Sequence, residues 1–326
     1  MKLLSESEVR NLIDPDEAIR ASAEAFRLLS SGSATVPLRT EIPLPGGGVF
    51  FIMPGLVADK YLGFKLIANR PDESHPSGLH TVSMILVIDA QSVTPVGLLS
   101  SDWFTDFRTA AGLAAATDAL APKQVRTLAV YGAGKLAEPS VRLLCRVRNF
   151  ERVILVGRTS ARVEALAARL RNDRAFAEMQ IDHDVSPDEA ASVADVITTV
   201  TSATEPVFDG SKVRPGVHIN IAGAFRPEWR EIDDQVAGRA IFYLDSMSAG
   251  LERAGDIRIP LQSGVLSRDR IRGEIGSMFA GDIPARRDSS EITVFKSLGN
   301  AVQDLYLAGT LLSKDGITAP IFNLEA

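Results

Sequence analysis

One cysteine, four histidines, no long apolar run and no excess of basic charge: each shortage in this chain removes a class of function. With Cys145 alone, an internal disulfide and a thiolate-clustered metal site are excluded. Cys145 falls in the apolar helical pattern Val141, Leu143, Leu144, Val147, which reads as packed core. His75, His80, His183 and His218 are scattered and match no spacing such as HExxH. Neither a zinc site nor a serine triad is spelled out, and no metal is expected. No run of about 18 apolar residues occurs, and the start of the chain turns acidic at Glu6 and Glu8 before any signal-type stretch develops. No membrane partner and a cytoplasmic location are the expectations. The 35 Lys and Arg against 41 Asp and Glu leave a net charge of −6 without a basic stripe, so nucleic acid is not an expected partner either.

What is present is ordinary for a globular α/β protein: 326 residues, 45% apolar, 25 Gly and 17 Pro. That length predicts two domains, each able to bury a core. Asp14 as N-cap and Pro15 as first helical residue open an amphipathic helix with Ile19, Ala23, Phe26 and Leu29 on one face. Between about 36 and 100, short apolar runs such as 49–53, 63–67 and 84–88 alternate with Gly, Pro and Asp turns, predicting a largely antiparallel sheet. An alanine-rich helix over 105–120 stops at Pro122. Beyond it, strands at 127–131, 152–156, 195–201 and 218–221 are spaced by helices, the pattern of βαβ units and a parallel sheet. A final helical pattern runs through Ala301-Val302-Gln303-Asp304-Leu305-Tyr306-Leu307 and is placed back on the first domain.

The strand Thr127–Tyr131 leads at once into Gly132-Ala133-Gly134-Lys135-Leu136-Ala137, a GxGxxA turn opening a helix. The pattern alone is weak; between a strand and a helix it is a dinucleotide fingerprint. Gly132 permits the tight turn, Gly134 lets backbone approach a pyrophosphate, and Ala137 allows close helix–strand packing, with the helix N-terminus facing phosphate. The second strand ends in Gly157-Arg158-Thr159-Ser160 where an acid would accept from a free ribose 2′-hydroxyl. Arg158, helped by Thr159 and Ser160, favours a 2′-phosphate and hence NADP, with NAD as the alternative. Thr199, Thr201 and Ser202 close an inner strand at the carboxyl edge where such sheets bind ligands.

Several segments in this order resemble the ornithine cyclodeaminase and μ-crystallin family: Val36-Pro37-Leu38-Arg39-Thr40, Met53-Pro54-Gly55, Gly63-Phe64-Lys65, Phe107-Arg108-Thr109-Ala110-Ala111, the Gly132 turn, Asn220 to Glu231, and Phe295-Lys296-Ser297-Leu298-Gly299. The resemblance implies a Rossmann domain (120–299) inserted into an α+β substrate-binding domain (1–119 plus 300–326) that forms a homodimer through its sheet. It implies that Arg39, Lys65 and Arg108 hold the carboxylate of an amino or imino acid, with Met53, Thr81 and Phe225 beside it and Lys65 and Arg108 as catalytic residues. Thr109, Ala222 and the Ser297–Leu298–Gly299 segment join the cofactor site. Cyclodeaminases of the family carry an aspartate two residues after the glycine matching Gly223; here that position is Phe225, which cannot move a proton. The expected activity is therefore NAD(P)H-dependent reduction of a 2-imino acid. An amino-acid dehydrogenase or cyclodeaminase, and an NADPH-retaining binding protein without catalysis, stay open.

Overall fold

Strands of the first sheet follow the alternation of buried and open positions, and several helices begin at a capping side chain. The computed structural model describes residues 1–74, 78–314, 316, 317, 319, 320 and 322; His75 lies outside them. The chain divides into two compact units, Met1–Arg108 with Asn300–Ala326, and Thr109–Gly299.

The first unit opens with β1 (Lys2–Leu4), α1 (Glu6–Leu12) and α2 (Pro15–Ser30). The Asp14 carboxylate accepts from the Glu17 amide at 2.8 Å and Pro15 takes the first helical position, so α2 begins where its cap dictates. Then come β2 (Ala34–Thr35), β3 (Thr40–Pro43), β4 (Val49–Val57), β5 (Tyr61–Pro71), β6 (Leu79–Asp89) and β7 (Pro95–Ser100). They form a sheet of order β1-β7-β6-β5-β4-β2, with β3 also on β4, antiparallel except for the β1–β7 pair. Along β5 the side chains of Tyr61 and Lys65 face inward, as do Ser83, Ile85 and Val87 of β6. The outward row is Leu62, Phe64 and Leu66 beside Val82, Met84 and Leu86, apolar throughout and open enough that Leu62 is 38% and Val82 46% exposed.

α3 (Asp102–Leu120) follows and runs through the division at Arg108/Thr109, where the sequence places the boundary after its end. In the second unit β8 (Thr127–Tyr131), α4 (Ala137–Val147), β9 (Arg152–Val156), α5 (Ser160–Arg171), β10 (Gln180–Asp182), α6 (Pro187–Val193), β11 (Val196–Thr199) and β12 (His218–Ile221) alternate as expected. They are followed by α7 (Asp234–Ala237), β13 (Ile241–Leu244), α8 (Met247–Arg253), α9 (Gly255–Gln262), β14 (Ile271–Glu274), α10 (Ile275–Ala280) and β15 (Thr293–Lys296). The sheet is parallel throughout, in the order β10-β9-β8-β11-β12-β15-β13-β14. Strand order reverses between β8 and β11, the switch point at which doubly wound sheets open a crevice. Cys145, on α4, is only partly buried; its surroundings still push the thiol up to about 12.

The last helix, α11 (Ala301–Leu312), belongs to the first unit and packs on its sheet and on α2. Glycines admit it. A Cβ at Gly55 or Gly63 would stand 3.0 Å from the Leu305 side chain, and one at Gly309 would stand 2.6 Å from the Tyr61 ring. Small residues at these points let helix and sheet approach closely, and that approach sets the site below.

Candidate functional site

In the first unit, three charged side chains from three elements meet away from water. Lys65 of β5 is 1% exposed, Arg108 of α3 3%, and Asp304 of α11 is fully buried. Asp304 Oδ1 accepts from Lys65 Nζ at 3.1 Å and from Arg108 Nε at 2.8 Å; its Oδ2 accepts from Lys65 Nζ at 3.1 Å. Gln303, its neighbour on the helix, accepts from Arg108 Nη1 at 3.1 Å. Lys65 and Arg108 share one hydrogen-bonded carboxylate, so these three buried groups together carry one positive charge in excess, with Asp106 acting on Lys65 through space as a weaker influence. Such a charge is costly alone and is relieved by one bound anion. Burial dominates the Lys65 ammonium and lowers it to about 8; Asp304 opposes that shift and Arg108 adds to it.

Other residues expected around this pair are placed differently. Met53 is buried on β4 directly across from Lys65 in the sheet register, so it forms an apolar wall beside the ammonium. Thr81 is half-buried on β6, paired with Asn69. Arg39 has another character: its side chain is 21% exposed, its Nε donates to Glu41 Oε1 at 3.0 Å, and its guanidinium lies over the Phe51 ring at 5.1 Å. Asp304 and Gln303 were not among the expected residues. Their signal was a Gln-Asp pair in an otherwise apolar helix.

In the second unit, Gly132 sits at φ +114 and donates to the Val156 carbonyl at 2.8 Å, closing the turn. A Cβ there would stand 2.5 Å from the Val200 oxygen, whereas one on Gly134 would meet nothing within 4 Å. The turn is therefore tight behind and open in front. Leu136 begins α4 without a side-chain cap, so its first amides are not taken by a capping side chain, and Ala137 is buried against the sheet. Ala133 and Leu136 are half-buried in the same turn. An uncapped helix start with open glycine backbone fits a pyrophosphate. Arg158, Thr159 and Ser160 are all exposed after β9, and no acid stands among them.

The facing loops are held by a buried polar knot. Glu231 accepts four hydrogen bonds: Thr201 N at 2.8 Å, Thr201 Oγ1 at 2.7 Å, Gly223 N at 2.8 Å and Ala224 N at 2.9 Å. Lys296 Nζ donates to the Ala224 carbonyl at 2.5 Å and to Asp256 at 2.9 Å, and Asp256 accepts from the Glu231 amide at 2.6 Å. Burial raises Glu231, while Lys296 and the donors on its two oxygens oppose that shift. Thr201 thus serves the knot through its hydroxyl, and Thr199 is fully buried; Ser202 is the exposed hydroxyl of the three. Ala222 is half-buried beside them. Asp245 pins the other segment, accepting from the Leu298 and Gly299 amides at 2.8 Å each and from Ser297 Oγ at 3.2 Å. Thr109 is half-buried on α3. Phe225 projects from the loop after β12, 38% exposed, with its ring against Trp229 at 5.4 Å. Among the described residues no group of His, Cys, Asp and Glu is placed to hold a metal, and no helix is long and apolar enough to cross a membrane.

Comparison with known proteins identifies the family. The chain is 32% identical over 321 residues to a Delta(1)-pyrroline-2-carboxylate reductase of Bacillus cereus, covering 96% of each chain. It is 34% identical over 300 residues to the ketimine reductase mu-crystallin of Mus musculus, covering 91% of this chain and 90% of the other. Its fold matches that of Thermococcus litoralis Delta(1)-pyrroline-2-carboxylate reductase, solved with NADH and L-proline, at a TM-score of 0.88 and 30% identity over 96% of both chains. Residues 1–314 match the model of the ornithine cyclodeaminase/mu-crystallin family, and the chain belongs to that family.

Proposed function

We propose that this protein is an NAD(P)H-dependent reductase of 2-imino acids, with cyclic substrates such as Δ1-pyrroline-2-carboxylate or its six-membered homologue as the first to test. The observation that carries the reading is the buried Lys65–Asp304–Arg108 cluster, whose single excess positive charge matches one carboxylate. When bound, the nicotinamide supplies the hydride. Arg108 and Lys65 hold the carboxylate and so fix the adjacent carbon. Reduction adds a hydride to that carbon and a proton to the nitrogen; Lys65, lowered to about 8, is a proton source matched to neutral pH. Arg39, Met53 and Thr81 complete the substrate side. On the cofactor side Gly132, Ala133, Gly134, Leu136 and Ala137 take the pyrophosphate. Arg158, Thr159 and Ser160 take a 2′-phosphate, which favours NADP over NAD. Thr109, Ser202, the backbone at Thr199, Thr201 and Ala222, and the Ser297–Gly299 segment line the rest.

Phe225 argues against ring-closing deamination, because the loop after β12 offers a phenyl face where that reaction needs a proton carrier. The outward apolar row of β5 and β6 supports a homodimer built on this sheet. A free cysteine and a nicotinamide cofactor fit the cytoplasm. The test is oxidation of NADPH and NADH, followed at the nicotinamide band, with a panel of 2-imino acids. Turnover of Δ1-pyrroline-2-carboxylate is the expected result; no oxidation with any member refutes the reading.

A further inference from the structure

Asn300 precedes α11 at its N-cap, the position where an asparagine ordinarily accepts from the amides of the first turn. It does not do so here: no side-chain cap bond is made. Both Nδ2 and Oδ1 are buried and neither has a hydrogen-bond partner among the described residues. A buried amide with both ends unmet is expensive in a folded protein, and a bound ligand with a donor and an acceptor would relieve it. Its location narrows the choice. Gln303 and Asp304 follow three and four positions on, one helical turn along the same face, and these are the residues that hold Arg108 and Lys65.

The chemistry narrows it further. Lys65, Arg108 and Gln303 can receive a carboxylate, but a 2-imino acid also carries an N–H once its nitrogen is protonated, and that group needs an acceptor. Both oxygens of Asp304 already accept from Lys65, and Oδ1 from Arg108 as well. Asn300 Oδ1, on the helix that carries Asp304, is a buried acceptor with no donor among the described residues, and beside it on the same amide is a donor without an acceptor.

We propose that Asn300 is a substrate-recognition residue whose Oδ1 accepts the N–H of the protonated imine, or of the amine product, while Nδ2 donates to the adjacent carboxylate. The site would then favour substrates whose nitrogen and carboxylate lie coplanar on neighbouring atoms, as in a cyclic 2-imino acid, over 2-oxo acids, which have no N–H to give. This rests on the proposed reduction of 2-imino acids.

The test is Asn300→Leu, which keeps the branched skeleton and removes both polar atoms. Without ligand the variant should be more thermostable than the parent by a few degrees, because an unmet amide has gone. Its apparent KM for Δ1-pyrroline-2-carboxylate should rise about tenfold or more, with NADPH affinity, read by fluorescence, unchanged within about twofold. An unchanged KM overturns the proposal, whether a resident water or nothing meets the amide. So does a loss of NADPH affinity at constant KM, which would assign the amide to the nicotinamide carboxamide. If the parent protein reduces no 2-imino acid, the thermal shift produced by pyrrole-2-carboxylate separates the two ideas, since that planar molecule offers the same N–H and carboxylate. Protection of the parent but not of Asn300→Leu supports the recognition role without the reaction; no protection of either overturns it.

Discussion

Asp304→Asn removes one charge from the buried cluster while keeping its shape, and the consequence can be worked from the distances. With an effective dielectric of about 20, the carboxylate attracts Lys65 at 3.1 Å and Arg108 at 2.8 Å by roughly 5–6 kcal/mol each. The cost of burying the carboxylate cancels much of this, and removing one partner of a buried pair typically costs about 3–5 kcal/mol. At about 2–4 °C per kcal/mol, the melting temperature should fall by roughly 6–20 °C. Protonation gives the prediction its signature. Lys65 is held at about 8 against an ordinary 10.5, so between those values the unfolded chain carries a proton that the folded one lacks, and stability of the parent rises with pH. Losing Asp304 removes the main influence opposing burial and lowers Lys65 further, so the variant begins the same rise at a lower pH. The gap between the two proteins should therefore narrow as pH increases towards about 8. Calorimetry of both proteins without ligand at pH 6, 7, 8 and 9 reads this directly. A gap under about 3 °C, or one constant with pH, would refute the view that Asp304 holds the proton on Lys65.

Three further outcomes are expected. Arg158→Ala should weaken NADPH about tenfold or more and leave NADH within about twofold; equal losses in titrations with the two cofactors would remove the 2′-phosphate assignment. His218, fully buried against Thr293 and Asn220, is lowered by burial first and by Arg286 second to about 3. Unfolded histidine takes its proton near 6.5, so stability should fall as pH drops from about 6.5 towards 3, and His218→Gln should flatten that slope in urea titrations; an unchanged slope would place the acid sensitivity elsewhere. Met84→Asp puts a charge in the outward apolar row of β6 and should give a monomer in light scattering where the parent gives the proposed dimer; a monomeric parent, or an unaffected dimer, would end the sheet-face proposal.

Much of the fold was legible because it follows local rules. The cap and proline of α2, the short apolar runs of β4 to β6 between Gly, Pro and Asp turns, and the strand–glycine–helix turn at Gly132 each carry their own instruction in a few residues. The boundary was less legible because α3 has no break at Arg108: a helix continues through the division, and composition changes only at Pro122. The family resemblance grouped Arg39 with Lys65 and Arg108. The structure separates them by surroundings, with Arg39 partly exposed and already matched to Glu41, while the other two are buried.

The residues that give the cluster its charge balance were the least legible. Lys65 and Asp304 are 239 positions apart, and Arg108 and Asp304 196, so no window of sequence contains the interaction. What a window does contain is an anomaly. α11 is buried along nearly its whole length and still spends two consecutive positions on Gln303 and Asp304, with Asn300 one turn earlier. In a helix that packs on a sheet through Gly55, Gly63 and Gly309, polar groups without water are destabilising unless something meets them. For Gln303 and Asp304 that something is in the chain, namely Arg108 and Lys65. For Asn300 no described residue answers, and it is this contrast with Gln303 and Asp304, one helical turn on, that makes the Asn300→Leu experiment the one that decides between a recognition role and an amide met by water or by nothing.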